Sequence, residues 1–202
     1  MGNEHSQLAE IAAKAAGCRR CPLFRNATQT VFGQGPVDAP AMLVGEQPGD
    51  SEDRMGLPFV GPAGRVLDRA LAAAGVNRDR LYVTNAVKHF KNIPRGKRRI
   101  HQRPNSYEID RCRWWLQLEL DLVRPRVTVA LGATAGNALA GRSITISKMR
   151  GKLISFRDGL EGMITVHPSY ILRLRDDDRE SEYARFVADL KQLARAVPET
   201  TL

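Results

Sequence analysis

Cysteine is scarce in this chain. Three occur in 202 residues, too few for a disulfide framework and better suited to free thiols or metal ligands. Long hydrophobic runs are missing as well: none reaches the roughly 18 apolar residues that a bilayer-spanning helix needs, so no membrane partner is expected. Residues 1–5 carry no basic stretch followed by an apolar one, and the expectation is a cytoplasmic, reducing setting. Repeats, low-complexity tracts and linkers are absent too, which leaves residues 1–202 as one expected domain. Acidic residues are in deficit, 22 Asp and Glu against 31 Lys and Arg, for a net charge of +9. Such an excess suits a polyanionic partner, which for a soluble protein usually means nucleic acid.

What is present is a regular alternation. With 43% hydrophobic residues the chain can bury an ordinary core. Continuous apolar runs at 41–44, 81–84, 127–131 and 163–166 read as buried strands, and helical spacing of apolar residues marks 64–74, 107–122, 133–140 and 182–196. Strands of this kind separated by helices predict a three-layer α/β/α sandwich around a central four-stranded parallel sheet. Ligands of such sheets bind beyond the carboxyl ends of the strands. The segments there are Gly45-Glu46-Gln47-Pro48-Gly49-Asp50, Asn85-Ala86-Val87-Lys88-His89, Gly132-Ala133-Thr134 and His167-Pro168-Ser169. A purely structural protein has little reason to put Glu, Asn and His there together.

Two further constellations carry chemistry. Cys18 and Cys21 have metal-clip spacing, Cys112 lies in a helical stretch, and His89 is the nearest sensible fourth donor by type. Zinc and an iron–sulfur cluster would satisfy the same four ligands, and a thiol-redox pair is a weaker alternative because Cys18-x-x-Cys21 does not open a helix. The second constellation is the run from 88 to 103, with Lys88, Lys91, Arg95, Lys97, Arg98, Arg99, Arg103 and no acid. Pro94, Gly96 and Pro104 predict a loop rather than a helix, placed to track phosphates. His101 stands inside it, where neighbouring cations should keep the imidazole neutral and therefore nucleophilic.

Together these segments, with Leu57-Pro58-Phe59-Val60-Gly61 and Lys97-Arg98-Arg99-Ile100-His101, resemble the uracil-DNA glycosylase superfamily, and within it the iron–sulfur branch of the UdgX type. The matching motifs spread in the expected order over residues 18–173. The resemblance implies the uracil-DNA glycosylase fold, a 4Fe–4S cluster on Cys18, Cys21, His89 and Cys112 forming an N-terminal clip, and uracil-containing DNA, single-stranded and in some contexts double-stranded, as partner of a repair protein beside a bacterial-type nucleoid; nothing in the sequence demands more than a monomer. Free uracil would be a product.

It also implies roles. Phe59 would stack on the extruded base. Asn85 would donate to uracil O4 and accept from N3–H, a pattern that cytosine inverts. His167 would donate to O2 as the base leaves. Gln47 and Asp50 complete the expected uracil site. Glu46 would orient His101 and stabilise the cationic sugar. Lys88, Lys97, Arg98, Arg99, Ser169, Leu172 and Arg173 are the expected DNA contacts, Leu172 as a wedge. The resulting expectation is a single-turnover glycosylase in which His101 attacks C1′ and stays covalently attached to the abasic site. A conventional glycosylase that releases uracil and an abasic site shares nearly every motif. A non-catalytic DNA-binding module would need none of Glu46, Asn85 and His167.

Overall fold

The computed structural model describes residues 2–197. Strands run in the order β1 Ala41–Gly45, β2 Leu81–Asn85, β3 Asn92–Arg95, β4 Arg98–His101, β5 Val127–Leu131, β6 Leu153–Ser155 and β7 Glu161–Thr165. The helices are α1 Gly2–Ala16, α2 Asp50–Met55, α3 Pro62–Ala74, α4 Ser106–Val123, α5 Ala133–Ala140, α6 Ile146–Met149, α7 Pro168–Leu172 and α8 Asp176–Ala196. The main sheet has the order β2-β1-β5-β7-β6. Its first four strands are mutually parallel and coincide with the four apolar runs of the sequence. The fifth, β6, pairs antiparallel with β7 at the edge. It has three residues, and Leu153 is 61% exposed, so it left no buried apolar run for the sequence reading to find.

Alternation along the strands builds the two flanking layers. Leu43, Val83, Val129 and Met163 face one side, where Val66, Leu67 and Leu71 of α3 and Phe186, Leu190 and Leu193 of α8 close over them. Met42, Val44, Tyr82, Ala130 and Ile164 face the other, against Leu116 and Val123 of α4 and Ala135, Ala138 and Leu139 of α5. Leu67 and Leu71 are fully buried, and truncating either to Ala costs about 2–5 kcal/mol. Local signals agree with this packing. Pro62 opens α3, whose end is marked by Gly75 at φ 76. Asn105 caps α4: its side chain accepts the Glu108 N–H at 2.9 Å, and Glu108 returns the bond to the Asn105 N–H at 2.7 Å.

One expectation changes form. Within the run from 88 to 103, residues 92–101 make a two-stranded antiparallel hairpin, β3 with β4, pairing Asn92 with His101 and Arg95 with Arg98. Gly96 takes φ 59 at its tip, and Pro94, which removes a ladder donor, lies on a strand of a two-stranded ribbon, where an edge tolerates it. Among the described residues no helix is long and apolar enough to cross a membrane.

Candidate active site

The carboxyl ends of β1, β2, β5 and β7 open into a cleft of about 1410 Å³. Its floor depends on glycine. A Cβ on Gly45, the last residue of β1, would lie 2.3 Å from Asn85 Oδ1 and 2.6 Å from Phe59 Cζ, so only glycine lets the three residues meet. Phe59 is buried and held at φ 55, a conformation costly for an aromatic residue and kept only when the surroundings enforce it. Here α3 does so: a Cβ on Gly64 would fall 1.8 Å from the Phe59 carbonyl oxygen. The Phe59 ring faces the His167 ring at 5.9 Å between centroids, tilted by 32°.

Asn85 ends β2 and is 2% exposed, yet its Oδ1 has no hydrogen-bond partner among the described residues. Leaving a buried acceptor unpaired costs about 1–3 kcal/mol, and this one lines the cleft. An acceptor in that condition is ready for a ligand N–H. His167 caps α7, and its Nδ1 accepts the Ser169 N–H at 3.2 Å with Ser169 Oγ at 2.8 Å. Because a backbone N–H can only donate, Nδ1 is unprotonated and the neutral ring carries its proton on Nε2. Desolvation, with the charges of Arg173 and His101 nearby, pushes the His167 pKa down to about 4, so this donor tautomer is the neutral-pH state.

Glu46, Gln47 and His101 form the opposite wall. Lys91 N–H donates to Gln47 Oε1 at 3.0 Å, and Gln47 Nε2 donates to the Gln102 carbonyl at 2.8 Å. The amide is thus fixed, and its Nε2 also lies 2.8 Å from His101 Nε2. That imidazole nitrogen must accept, which places the His101 proton on Nδ1. Glu46 Oε1 stands 3.6 Å from the same nitrogen, while Glu46 Oε2 accepts from Thr134 Oγ1 at 2.5 Å. The His101 pKa is lowered chiefly by burial of the ring; Glu46 opposes this and Arg173 adds to it. The expected direction is present, but its cause is desolvation rather than the cations beside His101 in the sequence.

The expected DNA contacts divide. Ser169, Leu172 and Arg173 line the cleft mouth, with Leu172 40% exposed. Lys97 and Arg98 are exposed on the hairpin. Lys88 is a correction: its side chain is fully buried, with Nζ bonded to Glu119 Oε2 at 2.5 Å, Thr84 Oγ1 at 2.6 Å and the Asn85 carbonyl at 2.8 Å. It has no access to a phosphate. Arg99 is committed as well, donating to Asp50 at 2.6 Å and to Asp53 at 2.5 Å. Asp50 lines the cleft but is engaged by Arg54 and Arg99, whose hydrogen bonds and charge lower its pKa. Glu119 and Asp53 were not singled out from the sequence, and Thr134 was placed at a strand end without a role. The available signal was Glu119 itself, an acid three positions from Leu116 on the apolar stripe of α4, where a carboxylate requires a partner.

The iron–sulfur expectation is also corrected. Cys18, Cys21 and Cys112 share one buried cluster with Val87 and Trp115. Nevertheless, among the described residues no group of three or more His, Cys, Asp or Glu is arranged to hold a metal ion. The sulfurs have other partners: Trp115 Nε1–H donates to Cys18 Sγ and the Lys88 N–H to Cys112 Sγ, both at 3.1 Å. Burial pushes the Cys112 thiol up to about 12 and raises Cys21 as well. His89 Nε2 lies 3.3 Å from Thr30 Oγ1. These residues make an apolar staple between the N-terminal segment and α4, and the 4Fe–4S assignment of Cys18, Cys21, His89 and Cys112 does not stand.

Comparison with known proteins fits this fold and cleft. The uracil DNA glycosylase superfamily matches residues 32–191. A Type-4 uracil-DNA glycosylase of Thermotoga maritima is 36% identical over 169 residues, 83% of this chain and 84% of the relative. A Type-4 enzyme of Pyrobaculum aerophilum is 34% identical over 77% of this chain and 80% of its own length. A Type-5 uracil-DNA glycosylase of the same organism is 29% identical over 79% and 81%. The similarity therefore runs to Type-4 enzymes, and with no metal-holding group among the described residues the narrower placement in an iron–sulfur, UdgX-type branch is withdrawn. The chain belongs to the uracil DNA glycosylase superfamily.

Proposed function

From membership of that superfamily we propose that the chain is a uracil-DNA glycosylase that breaks the N-glycosidic bond of deoxyuridine in DNA, releasing free uracil and leaving an abasic site. The observation that carries the reading is the pairing of a buried, unpartnered acceptor, Asn85 Oδ1, with a neutral His167 whose proton is on Nε2, in one cleft floored by Phe59. Uracil needs this set: an acceptor for N3–H with a donor for O4 from the same amide, a donor for O2, and an aromatic face to stack on. Cytosine presents an unprotonated N3 and an amino group to Asn85, leaving both ends of the amide mispaired.

The reaction follows from these positions. As the C1′–N1 bond breaks, its electron pair moves onto the base, and the His167 Nε2–H meets the charge growing on O2. The sugar becomes an oxocarbenium ion, for which the Glu46 carboxylate supplies the counter-charge. Water adds to C1′ and gives its proton to Glu46, and the uracil anion takes up a proton on release. Exposed cations, Arg173 at the cleft rim and Lys97 and Arg98 on the hairpin, hold the backbone phosphates.

One observation favours a second fate for the sugar. His101 Nε2 lies on the same wall as Glu46, 3.6 Å from its Oε1, and a neutral imidazole nitrogen is a nucleophile. Attack at C1′ requires Gln47 to release that nitrogen, and the resulting imidazolium sheds its Nδ1 proton. A denaturing gel of the protein with a labelled uracil-containing single strand decides between the two. The expected result is alkali-sensitive breaks at the uracil and an unshifted protein. A heat-stable shifted band that His101→Ser abolishes would establish covalent capture instead. Neither product on a uracil strand would refute the glycosylase reading.

A further inference from the structure

The hairpin has two faces, set by the period of two along each strand. Asn92, Pro94, Arg99 and His101 point one way. Ile93, Arg95, Arg98 and Ile100 point the other, with Ile93 directly across from Ile100 and Arg95 across from Arg98. The first face is anchored. Arg99 bonds Asp50, Asp53 and, at 2.9 Å, Thr28 Oγ1 and lies over the Phe90 ring at 5.3 Å, while Asn92 Nδ2 donates to the Asn26 carbonyl at 3.0 Å. The second face has no such contacts among the described residues. Ile93 is 55% and Ile100 39% exposed, and they are the only exposed isoleucines among the described residues.

An exposed cross-strand isoleucine pair contributes little to folding, since its apolar area stays in water. It is held in place by the anchored face behind it, so a ligand meets it already ordered. Arg95 and Arg98 lie beside it on the same face, Lys97 is at the tip, and no ion pair joins any of these three to a carboxylate among the described residues. Ile100 immediately precedes His101, which lines the cleft on the other face of the ribbon, so the patch stands one residue from the cleft wall and a strand leaving the cleft would reach it around the edge of β4. An aliphatic surface can cover a base face by burial and dispersion, without the stacking an aromatic ring adds, while the free cations beside it meet the phosphates.

We propose that the outward face of the hairpin seats the bases of the DNA strand next to the uracil, with Ile93 and Ile100 against the base faces and Arg95 and Arg98 on the intervening phosphates. The inference rests on the glycosylase reading for the identity of the strand. It makes the hairpin a strand-holding platform that reads no sequence and prefers unpaired DNA.

A double-mutant cycle between protein and DNA tests it. Excision is measured for the native protein and for Ile93→Ser/Ile100→Ser on two single strands, one with ordinary bases beside the uracil and one with base-less sugars there, all phosphates being retained. With the native protein, removing the flanking bases should raise KM about five- to tenfold, and the serine variant should show the same rise on the ordinary strand with almost no further loss on the base-less one. The kcat should stay unchanged, because neither isoleucine lines the cleft. Equal losses in both proteins, or an unaltered serine variant, would overturn the proposal. So would a native dimer that the serine variant converts to monomer, since the patch would then join two copies of the chain. In parallel, Arg95→Gln/Arg98→Gln should flatten the salt dependence of strand binding by about 1.4 in logarithmic slope, whereas the serine pair should leave it unchanged. If the native protein excises no uracil from any strand, the glycosylase reading fails by itself. The same cycle, read by fluorescence anisotropy with a thymine strand, still decides the platform.

Discussion

The cleft floor and the hairpin treat polar groups in opposite ways. On the floor nearly every polar atom is fixed by a neighbour: Ser169 sets the His167 tautomer, Lys88 holds the Asn85 carbonyl, and Glu119 holds Lys88. Asn85 Oδ1 is left buried and, among the described residues, unpaired. On the hairpin, only the inward side chains are fixed, and Arg95, Lys97 and Arg98 stand in water. A buried, pre-oriented donor and acceptor discriminate between bases, because a mismatch leaves them unpaired away from water. Exposed cations discriminate weakly but attract any phosphate chain. On the proposed function, choice of base and grip on the strand would fall to different elements, with one basic run in the sequence contributing to both.

The largest effect should come from disturbing the floor from below. Lys88 and Glu119 form a fully buried ion pair that also engages Thr84 and, through Glu119 Oε1, the Tyr82 hydroxyl at 3.1 Å. Lys88→Met leaves the Glu119 carboxylate buried without its cation and should cost about 3–5 kcal/mol of stability, measurable as a lowered urea midpoint. The double variant Lys88→Met/Glu119→Leu should recover much of that loss, because the uncompensated charge is gone. An unchanged midpoint in the single variant would mean that the floor does not depend on this pair.

Next in size are the two groups proposed to face the base. His167→Ala removes the donor aimed at the departing base and should lower kcat by about 10²–10³, with little change in KM. Asn85→Ala should reduce the preference for uracil over cytosine by a similar factor, measured as the ratio of excision rates on matched strands. A variant that stays fully selective would take the pyrimidine-reading role away from Asn85.

How much of this could be read beforehand follows from where each interaction lies along the chain. The four buried strands were legible because each is a continuous apolar run, and the cleft was legible because parallel sheets bind at their carboxyl ends. Edge strand β6 was not, being three residues long with an exposed Leu153. Lys88 and Arg98 belong to the same basic run, and nothing local separates them. What does is Glu119, 31 positions from Lys88, and a partner at that distance is invisible to composition. The cysteines mislead for the same reason. Cys18-x-x-Cys21 has the spacing of a metal clip, but the Trp115 indole N–H and the Lys88 N–H meet the sulfurs of Cys18 and Cys112 only once α4 is in place.

A smaller effect should separate the regions by pH. His167 titrates near 4 in the folded protein against about 6.5 in an unfolded chain. Between those values the unfolded state binds more protons, so the stability contributed by the neutral ring is complete above pH 6.5 and is lost as pH falls towards 4. For a half-buried ring the total is about 2 kcal/mol after allowance for solvent screening. Urea midpoints of the native protein and His167→Ala should therefore draw closer between pH 7 and pH 4.5. Parallel curves would mean that the ring is not held neutral.

The smallest effect should belong to the hairpin cations, and it sharpens the comparison because one prediction contains its own control. Arg98→Gln removes one exposed charge that has no carboxylate partner among the described residues. Strand binding should weaken only a few-fold at moderate salt, the logarithmic salt slope should fall by about 0.7, and the urea midpoint should not move. Lys88→Met, ten positions earlier in the same run, should do the reverse, lowering the midpoint while leaving the salt slope intact at temperatures where the variant is folded. If both substitutions changed the slope, Lys88 would have to leave its pocket on binding DNA, and the floor would be less rigid than its hydrogen bonds require. If neither did, the phosphates would be held at the rim around Arg173 rather than on the hairpin.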